Sequence, residues 1–130
     1  MDIKSVNHIA VICADYAASL HFYRDILGME VLSEEYRAER RSMMTKLALN
    51  GSYLIELFTF PNSPKRCSYP EACGLRHLAF TVDRLEETRD ELQRKGVACE
   101  PIRRGANGES CFFCSDPDGL PLEFVSVVEL

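Results

Sequence analysis

The hydrophobic positions of the chain form two kinds of pattern, short alternating or continuous runs and stripes with helical spacing. The runs predict eight strands, and the stripes predict one helix between Asp15 and Gly28 and a second over 84–95. Asp15 is a suitable N-cap for the first helix, and Asp83 with Glu86 forms a capping-box pattern before the second. The predicted strands cover residues 5–12, 29–37, 42–50, 52–60, 75–82, 97–103, 110–115 and 120–128.

The predicted elements occur twice in the same order. Each half has a histidine in an apolar strand, a helix bounded by aspartate and glycine, a hairpin turn, and a glutamate in an apolar strand. The repeat predicts an α+β fold of two tandem βαβββ modules, 5–60 and 75–128, joined by a linker, 61–74, within one domain, 1–130. The matching positions lie 67 to 69 residues apart and are His8 and His77, Asp15 and Asp83, Gly28 and Gly96, Asn50-Gly51 and Asp118-Gly119, and Glu56 and Glu123.

Two glutamates stand in strands that are otherwise apolar, one in the run SYLIELFTF and one in LPLEFV. Burying an ionised carboxylate is costly unless it is paired or binds a metal. Strand periodicity places both repeated histidines next to small residues, away from the faces expected to pack on helices. Two neutral imidazoles and two carboxylates suit one divalent ion such as Ni, Zn, Co, Fe or Mn. We therefore predict a metal centre built from His8, Glu56, His77 and Glu123.

Each ligand candidate has a plainer interpretation when it is considered alone. A single strand histidine is more often a core or surface residue, and a single glutamate in an edge strand usually faces solvent. The recurrence of both residue types at matching positions favours the metal site. His21 has no such counterpart, because Asp90 is the nearest aligned residue, and we predict that it lies on the surface.

The six cysteines include a single C-x-x-C motif, formed by Cys111 and Cys114. A zinc ribbon needs a second such pair, and residues three apart on a strand point to opposite faces. We therefore expect buried or half-buried thiols, although a metal or redox role stays open. No signal-peptide pattern is visible at the N-terminus, which favours reduced thiols and a cytoplasmic location.

Composition narrows the classes of partner. The 130 residues carry a net charge of −5, with 46% hydrophobic and 27% charged residues, as in an ordinary globular domain. An acidic chain without a basic face is not expected to bind nucleic acid. No run of about 18 uncharged apolar residues is present, so no membrane-spanning helix is expected. The expected partner is a small-molecule substrate.

Five segments together resemble the vicinal oxygen chelate superfamily, and most closely its glyoxalase I-like members in the glyoxalase/bleomycin resistance family. They are NHIAV, FYRDILGMEV, YLIELF, LRHLAFTVD and DPDGLPLEF, and the resemblance covers nearly the whole chain. It implies a cup-shaped, eight-stranded mixed sheet with a metal ion bound at the four positions named above. It also implies a homodimer, and it leaves open whether a site is built within one chain or across two.

The resemblance implies a metal-dependent lyase or isomerase, like lactoylglutathione lyase, that transfers a proton on a small carbonyl or thiohemiacetal substrate. Glu123 and Glu56 are the candidate catalytic bases, and Glu123 is favoured. Extradiol dioxygenases and fosfomycin-modifying enzymes of the superfamily use three protein ligands, so a fourth ligand argues against them. Acyl-CoA epimerase-like members typically carry Gln at the position of Glu56, which makes that alternative weaker.

The chain departs from bacterial glyoxalase I at two positions. Ile12 and Phe60 stand where that enzyme has an Arg and an Asn that help to hold glutathione. We therefore expect a physiological substrate other than the glutathione hemithioacetal. Strand alternation puts Glu56 on one face with Leu54 and Phe58. Ile12, Phe58 and Phe60 are candidates for an apolar pocket wall, with core packing as the equal alternative.

A second interpretation, from another functional class, is a non-catalytic protein of the bleomycin-resistance type that sequesters a drug or metabolite. Such members generally lack the four ligands, so their presence favours an enzyme. Five arginines are candidates for the rim of a site for an anionic substrate, although a solvated charged edge is the commoner explanation. They are Arg37, Arg40, Arg41, Arg103 and Arg104.

Overall fold

The structure, a computed structural model, describes residues 1–127. Residue 128, which ends the predicted last strand and second module, lies outside the described residues, as do the two after it. Within the described range, no helix is long and apolar enough to cross a membrane. The elements in chain order are β1 (Ile9–Ile12), α1 (Tyr16–Leu20), a π-helical segment (His21–Ile26), β2 (Glu30–Arg37), β3 (Ser42–Leu49), β4 (Ser52–Phe58), β5 (Leu78–Thr81), α2 (Leu85–Arg94), β6 (Arg103–Arg104), β7 (Glu109–Ser115) and β8 (Pro121–Val127).

The strands form two four-stranded sheets, one in each of two compact units, Met1–Pro64 and Lys65–Leu130. The strand order is β1-β4-β3-β2 in the first sheet and β5-β8-β7-β6 in the second. In both sheets the first strand of the module runs parallel to its last strand, and the other pairs are antiparallel. The α+β class and the repeated βαβββ order are therefore confirmed. The boundary between the units falls inside the predicted linker, 61–74.

The first helical region is bounded as predicted. The Ala18 amide donates a hydrogen bond to the Asp15 carboxylate at 3.1 Å, which satisfies an otherwise unpaired donor of the first turn. After Leu20 the backbone continues as the π-helical segment, which ends before Gly28. The φ of Gly28 is 80°, the left-handed conformation that favours glycine after a helix. The helical stripe buries Leu20 and Tyr23, as its spacing predicts.

The second helix begins later than predicted, and the predicted capping box is wrong. Its N-cap residue is Arg84, which makes no side-chain cap hydrogen bond. Asp83 therefore lies outside the helix, one residue too early to cap it. The side chain of Glu86 accepts a hydrogen bond from Arg104 of β6 at 3.3 Å. A contact with a neighbouring strand thus takes the carboxylate that the pattern assigned to the helix terminus.

Alternation along the central strands separates a buried face from a partly exposed one. In β4, Ile55 and Leu57 are fully buried, while Glu56 between them is partly exposed. In β8, two buried apolar residues flank Glu123 in the same way. Burying each such side chain contributes about 1.5–3 kcal/mol, which fixes the register of the strand. Both glutamates consequently lie on the face away from the core.

The predicted hairpin turns are both present, but their backbones differ. Asn50 and Gly51 have φ angles of 50° and 82°, the two positive values that a type I′ turn needs. In the second turn Gly119 has a φ of 86°, and the buried Asp116 carboxylate accepts hydrogen bonds from two backbone amides of the turn. The second hairpin is therefore stabilised by a side chain as well as by its glycine.

The strands that carry the candidate histidines are shorter than the predicted 5–12 and 75–82. β1 and β5 begin one residue after His8 and His77, respectively. Of the strand predicted at 97–103, only Arg103 lies in a strand, the two-residue β6. Short first strands leave each histidine at a strand end, where its side chain is partly exposed.

Candidate functional site

The first histidine–glutamate pair lies at the start of β1. Parallel pairing aligns Ala10 with Glu56 of β4, and His8 lies two residues before Ala10. His8 Nε2 and Glu56 Oε1 are 3.8 Å apart. The two side chains are 35% and 12% exposed, so the pair is open to a ligand while most of the carboxylate is sheltered from water.

Three contacts orient this first pair. His8 Nδ1 donates to the side-chain oxygen of Asn7 at 2.7 Å, which leaves a lone pair on Nε2. The Tyr53 hydroxyl donates to Glu56 Oε2 at 3.1 Å, and the Tyr53 ring stacks on His8 with centroids 5.0 Å apart. Burial, and then the bond to Glu56, raise the pKa of Tyr53 to about 12, so the hydroxyl keeps its proton. Such outer contacts commonly orient metal ligands.

Tyr53 reaches this position because β4 contains a β-bulge. Two consecutive residues of β3 pair with Ile55 and Tyr53, so Leu54 is an extra residue in β4. Strict alternation from Glu56 would put Leu54 on its face and Tyr53 on the other. Reasoning from periodicity alone therefore missed Tyr53.

The second histidine–glutamate pair repeats the geometry of the first. Parallel pairing aligns Ala79 with Glu123 of β8, and His77 lies two residues before Ala79. His77 Nε2 and Glu123 Oε2 are 3.9 Å apart, and the side chains are 29% and 18% exposed. The structure therefore brings the predicted ligands together as two matching pairs, one in each module.

Cationic and aromatic side chains surround the second pair. Arg76 Nη1 donates to His77 Nδ1 at 3.1 Å, because a guanidinium can only donate. Phe113 contacts His77 edge-on, with 5.3 Å between ring centroids. Arg76 and Arg103 both lie over Phe113, at 5.9 and 5.5 Å from its centroid. Within residues 1–127, Glu123 makes no hydrogen bond, since its 3.9 Å approach to His77 is too long to be one.

The two thiols of the C-x-x-C motif differ in their surroundings. Cys111 is partly exposed on the face of Glu123, and burial raises the pKa of its thiol, with a further rise from Glu123 and a lowering by Arg103. Cys114 lies on the buried face, where burial raises the pKa of its thiol to about 12. The predicted opposite orientation is confirmed. All six cysteines lie in the described part of the chain, and none of them forms a disulfide there.

The residues proposed for an apolar pocket wall lie beside Glu56. Ile12 pairs with Phe58 across β1 and β4, two residues beyond Glu56 and on its face. Phe58 stacks on Phe60, with ring centroids 5.7 Å apart and an interplanar angle of 9°. Ile12 is 53% exposed, and both phenylalanines are partly exposed. An open apolar surface therefore adjoins the first pair, beyond what core packing requires.

The ligand atoms of the two pairs suit a divalent ion. Metal–ligand bonds of about 2.1 Å place adjacent ligands roughly 3.0 Å apart in an octahedral site and roughly 3.4 Å apart in a tetrahedral one. The separations of 3.8 and 3.9 Å are a few tenths of an ångström beyond the tetrahedral value, and too long for a direct hydrogen bond. Small side-chain rotations would close either pair on an ion. Among residues 1–127, no group of three or more His, Cys, Asp or Glu side chains is placed to hold a metal, so each pair offers two ligands.

Other polar residues identified in the sequence lie outside the two pairs. His21 is on the surface, as predicted, with a side chain 63% exposed and 2.9 Å from Asp25. Among the candidate rim arginines, Arg103 contacts Glu100 at 3.4 Å in addition to Phe113. Arg37, Arg40, Arg41 and Arg104 are exposed.

A cavity of about 270 Å³ lies in the second module, away from His77 and Glu123. Ser110 of β7 lines the cavity, and its neighbour Cys111 points to the face that carries Glu123. Because neighbouring residues on a strand point to opposite faces, the cavity is on the opposite face of the sheet from Glu123. No sequence pattern indicated this cavity, and it has no part in the candidate site. Its lining residues are Arg84, Leu85, Glu86, Glu87, Ile102, Arg104, Ser110 and Ser126.

Comparison with known proteins identifies close relatives of the whole chain. The family model described as Glyoxalase/Bleomycin resistance protein/Dioxygenase superfamily matches residues 5–124. The uncharacterized protein YwkD of Bacillus subtilis (strain 168) is 53% identical over 124 residues, which cover 95% of this chain and 97% of YwkD. The crystal structure of a glyoxalase family protein from Enterococcus faecalis aligns with a TM-score of 0.89 and 42% identity, covering 96% of this chain and 99% of that chain.

Two more distant relatives have names that state an activity. Metallothiol transferase FosB of Staphylococcus haemolyticus (strain JCSC1435) is 33% identical over 125 residues, which cover 93% of this chain and 82% of FosB. Lactoylglutathione lyase of Schizosaccharomyces pombe is 25% identical over 150 residues, covering 99% of this chain and 49% of the lyase. The chain thus spans about half the length of that lyase.

Proposed function

The chain belongs to the glyoxalase/bleomycin resistance protein/dioxygenase superfamily, and on this premise we propose that it is a metal-dependent lyase or isomerase of glyoxalase I type. Its reaction is a proton transfer on a small carbonyl or thiohemiacetal compound. A cytoplasmic location is part of the proposal, because a reducing compartment keeps cysteines out of disulfides and none of the six cysteines forms one. The proposed ligands of one divalent ion, such as Ni, Zn, Co, Fe or Mn, are His8, Glu56, His77 and Glu123.

One observation carries the proposal, namely the recurrence of the histidine–glutamate pair. In each module a histidine just before the first strand faces a glutamate of the last strand through the same parallel register. The two Nε2–carboxylate separations, 3.8 and 3.9 Å, are nearly equal. A sequestering protein that performs no chemistry would have no need for this repeated ligand set, so the recurrence favours an enzyme.

Different contacts around the two glutamates support different roles. A bound divalent ion would supply positive charge beside the substrate oxygen and so stabilise negative charge that develops there. Glu56 is held by Tyr53 and serves as a fixed ligand. Glu123 has no hydrogen bond within residues 1–127, so it is free to move between ligation and proton exchange with the substrate carbon.

The apolar wall formed by Ile12, Phe58 and Phe60 supports a substrate other than the glutathione adduct. None of these side chains offers a charge or a hydrogen bond to the carboxylates of glutathione. A small substrate with an apolar group next to its carbonyl would bury that group against the wall. We expect such compounds to be turned over better than the glutathione hemithioacetal of methylglyoxal.

A substrate screen on metal-loaded protein tests this proposal. Metal-free protein is loaded separately with Ni²⁺, Zn²⁺, Co²⁺, Mn²⁺ and, without oxygen, Fe²⁺, and bound metal is measured by elemental analysis. Turnover is then followed with methylglyoxal plus glutathione, methylglyoxal plus other thiols, and acyl-CoA epimers. We expect stoichiometric metal and metal-dependent isomerisation of a non-glutathione compound. Failure to bind any of these metals, or full loading without turnover in any arm, would contradict the proposal.

A second candidate function, a metal-dependent thiol transferase, is favoured by the similarity to FosB. The identity to FosB is 33%, against 25% to the lactoylglutathione lyase. The fourth ligand candidate, Glu56, argues for the lyase or isomerase. The two functions differ in what happens to the thiol. A transferase consumes the thiol, because it joins the thiol to its acceptor as a stable thioether. Loss of free thiol in the presence of an electrophilic carbon acceptor, without isomerisation of any carbonyl compound, would select the transferase.

A homodimer is also part of the proposal, and variants of the two histidines test how its sites are built. If each site combines His8 of one chain with His77 of another, mixing His8→Ala with His77→Ala protein produces heterodimers with one intact site. If each site is built within one chain, no intact site forms. Metal content after mixing and refolding separates the two arrangements, and light scattering measures the oligomeric state.

A further inference from the structure

The two candidate histidines are hydrogen-bonded in opposite senses at Nδ1. His8 donates its Nδ1 proton to Asn7 at 2.7 Å, whereas His77 Nδ1 accepts from the guanidinium of Arg76 at 3.1 Å. A neutral imidazole carries one proton, so the proton of His77 lies on Nε2. A protonated nitrogen cannot be a metal ligand. The contact with Arg76 therefore blocks the Nε2 atom that faces Glu123.

Arg76 has to leave His77 before Nε2 can bind an ion, and its surroundings permit this movement. Arg66 Nη2 donates to the backbone oxygens of Leu75 and Arg76 at 3.3 and 2.8 Å, which holds the main chain in place. Arg76 itself is exposed. Its guanidinium can therefore change partner by side-chain rotation alone, while the backbone that carries His77 stays fixed.

Phe113 lies beside the guanidinium groups of both Arg76 and Arg103. Arg76 and Arg103 already lie over this ring, and Phe113 is the register partner of Glu123 in β8. The carboxylate bound to Arg103, that of Glu100, is 53% exposed at 3.4 Å, a surface ion pair that contributes little. The two positive charges lie within 6 Å of one ring centroid, and among residues 1–127 only that of Arg103 has a carboxylate partner, which favours an added anion there. The arrangement therefore suits an oxyanion close to the second pair.

We propose that Arg76, Phe113 and Arg103 form a subsite for an anionic oxygen group of the substrate, a carboxylate or a phosphonate, and that Arg76 moves to this group from His77 when Nε2 becomes a ligand. This inference rests on the proposed function, because it takes His77 as a metal ligand. Metal and anion binding are then coupled, and each favours the other to the same degree. The substrate class narrows to small carbonyl compounds that carry a negative group.

The position of the imidazole protons tests the starting state without any variant. Long-range ¹H–¹⁵N spectra of ¹⁵N-labelled, metal-free protein distinguish the two neutral tautomers of each histidine. We expect the proton on Nδ1 in His8 and on Nε2 in His77. On addition of one equivalent of Zn²⁺, His77 should change to the Nδ1-protonated form, while His8 keeps its tautomer. A metal-free His77 that already carries its proton on Nδ1 would overturn the inference.

Metal titrations test the coupling. Zn²⁺ affinity is measured by calorimetry for the wild type, Arg76→Met and Arg103→Met, each alone and with sodium acetate or methylphosphonate. Arg103→Met removes the same charge without a contact to His77. Arg76→Met should bind Zn²⁺ about fivefold more tightly than the wild type, the factor expected for losing one exposed hydrogen bond, and Arg103→Met should change affinity less. Whichever anion increases Zn²⁺ affinity in the wild type should have no effect in Arg76→Met.

The outcomes separate this inference from the proposed function. If neither the wild type nor Arg76→Met binds Zn²⁺ or any other metal of the loading screen, the proposed function itself fails. If all three proteins bind Zn²⁺ with equal affinity and without response to either anion, the metal site stands and the role of Arg76 is wrong. An anion effect that persists in Arg76→Met would place the anion on the ion rather than on the arginines, which also contradicts the inference.

Discussion

The two modules place a histidine and a glutamate in the same register but surround them differently. In the first module, Asn7 bonds the histidine and Tyr53 bonds the glutamate. In the second, Arg76 bonds the histidine, and the glutamate has no hydrogen bond among residues 1–127. In the proposed metal centre, the first pair would be oriented for ligation before any ion binds, whereas the second would have to rearrange. On the proposed function, the repeated fold would supply one half-site that holds an ion and one that moves.

A single inserted residue accounts for much of this difference. The bulge at Leu54 brings Tyr53 to the side of Glu56 in β4. In the second module, β7 and β8 pair without a register shift from Glu109 to Ser115. No bulge therefore brings an additional side chain to the face of Glu123. The difference in contacts between the two pairs therefore arises on the exposed faces, while the buried faces alternate in the same way.

Replacing the two glutamates should give the largest difference between the modules. Glu123→Gln is expected to lower kcat by about 10²–10⁴-fold, as for loss of a general base, while retaining more bound metal than Glu56→Gln. Glu56→Gln should lose metal first and turnover as a consequence, without unfolding. Steady-state kinetics, elemental analysis and thermal melting of both variants provide the check. Equal losses of metal and kcat in the two variants would remove the distinction between a fixed and a mobile carboxylate.

Core substitutions should affect the two modules alike. Ile55 and Leu122 are both fully buried, and replacing either by Ala should lower the free energy of unfolding by about 3 kcal/mol, within the range for large-to-small core changes. Leu32→Ala, at a position 49% exposed, is the matched control and should cost less than about 1 kcal/mol. Urea denaturation measures all three. A large difference between the first two variants would show that the buried faces are not equivalent.

Removal of the Tyr53 hydroxyl should weaken metal binding in the first half-site. Tyr53→Phe keeps the ring that stacks on His8 and loses the bond to Glu56, so Zn²⁺ affinity should fall by about tenfold, as is typical for outer contacts of metal ligands. Tyr36→Phe, at an exposed tyrosine of β2, is the control and should leave affinity unchanged. Zinc titration by calorimetry measures both, and an unchanged affinity in Tyr53→Phe would contradict the role given to the bulge.

Asn7→Ala should have the smallest effect. Asn7 is exposed, so water can replace its oxygen as the acceptor of the His8 Nδ1 proton, and Zn²⁺ affinity should fall by about threefold. Competition with a colorimetric chelator is sensitive enough to detect such a change. A loss larger than that in Tyr53→Phe would mean that the histidine contact, rather than the glutamate contact, orients the first pair.

Much of the fold could be predicted because its local signals agree with one another. The repeat predicted the order of the elements, and the Asn50-Gly51 and Asp118-Gly119 pairs predicted both hairpin turns. The capping box at Asp83 failed because the helix has Arg84 as its N-cap residue, one position later, while Glu86 contacts Arg104 of β6; a local pattern reveals neither. The lengths of β1 and β5 depend on where their pairing with β4 and β8 ends. A local sequence pattern does not show this, because the paired strands are distant in the chain.

The ligand pairs could be proposed from the repeat, but their different surroundings could not. Tyr53 was missed because periodicity does not reveal a bulge. The contrast between Asn7 and Arg76, however, was present in the sequence, since each is the residue just before a candidate histidine. Comparing the repeats position by position, beyond the shared residues, would have indicated that the halves are unequal. Which nitrogen each neighbour contacts depends on side-chain rotation and required the structure.

The most direct test of the account is the metal stoichiometry of the wild type and of two single variants, His8→Ala and His77→Ala, at saturating Zn²⁺ followed by desalting. If both modules contribute to one centre, the wild type should retain one ion per chain and each variant should lose most of it. Two ions per chain in the wild type, or one ion per chain retained by either variant, would contradict a shared centre.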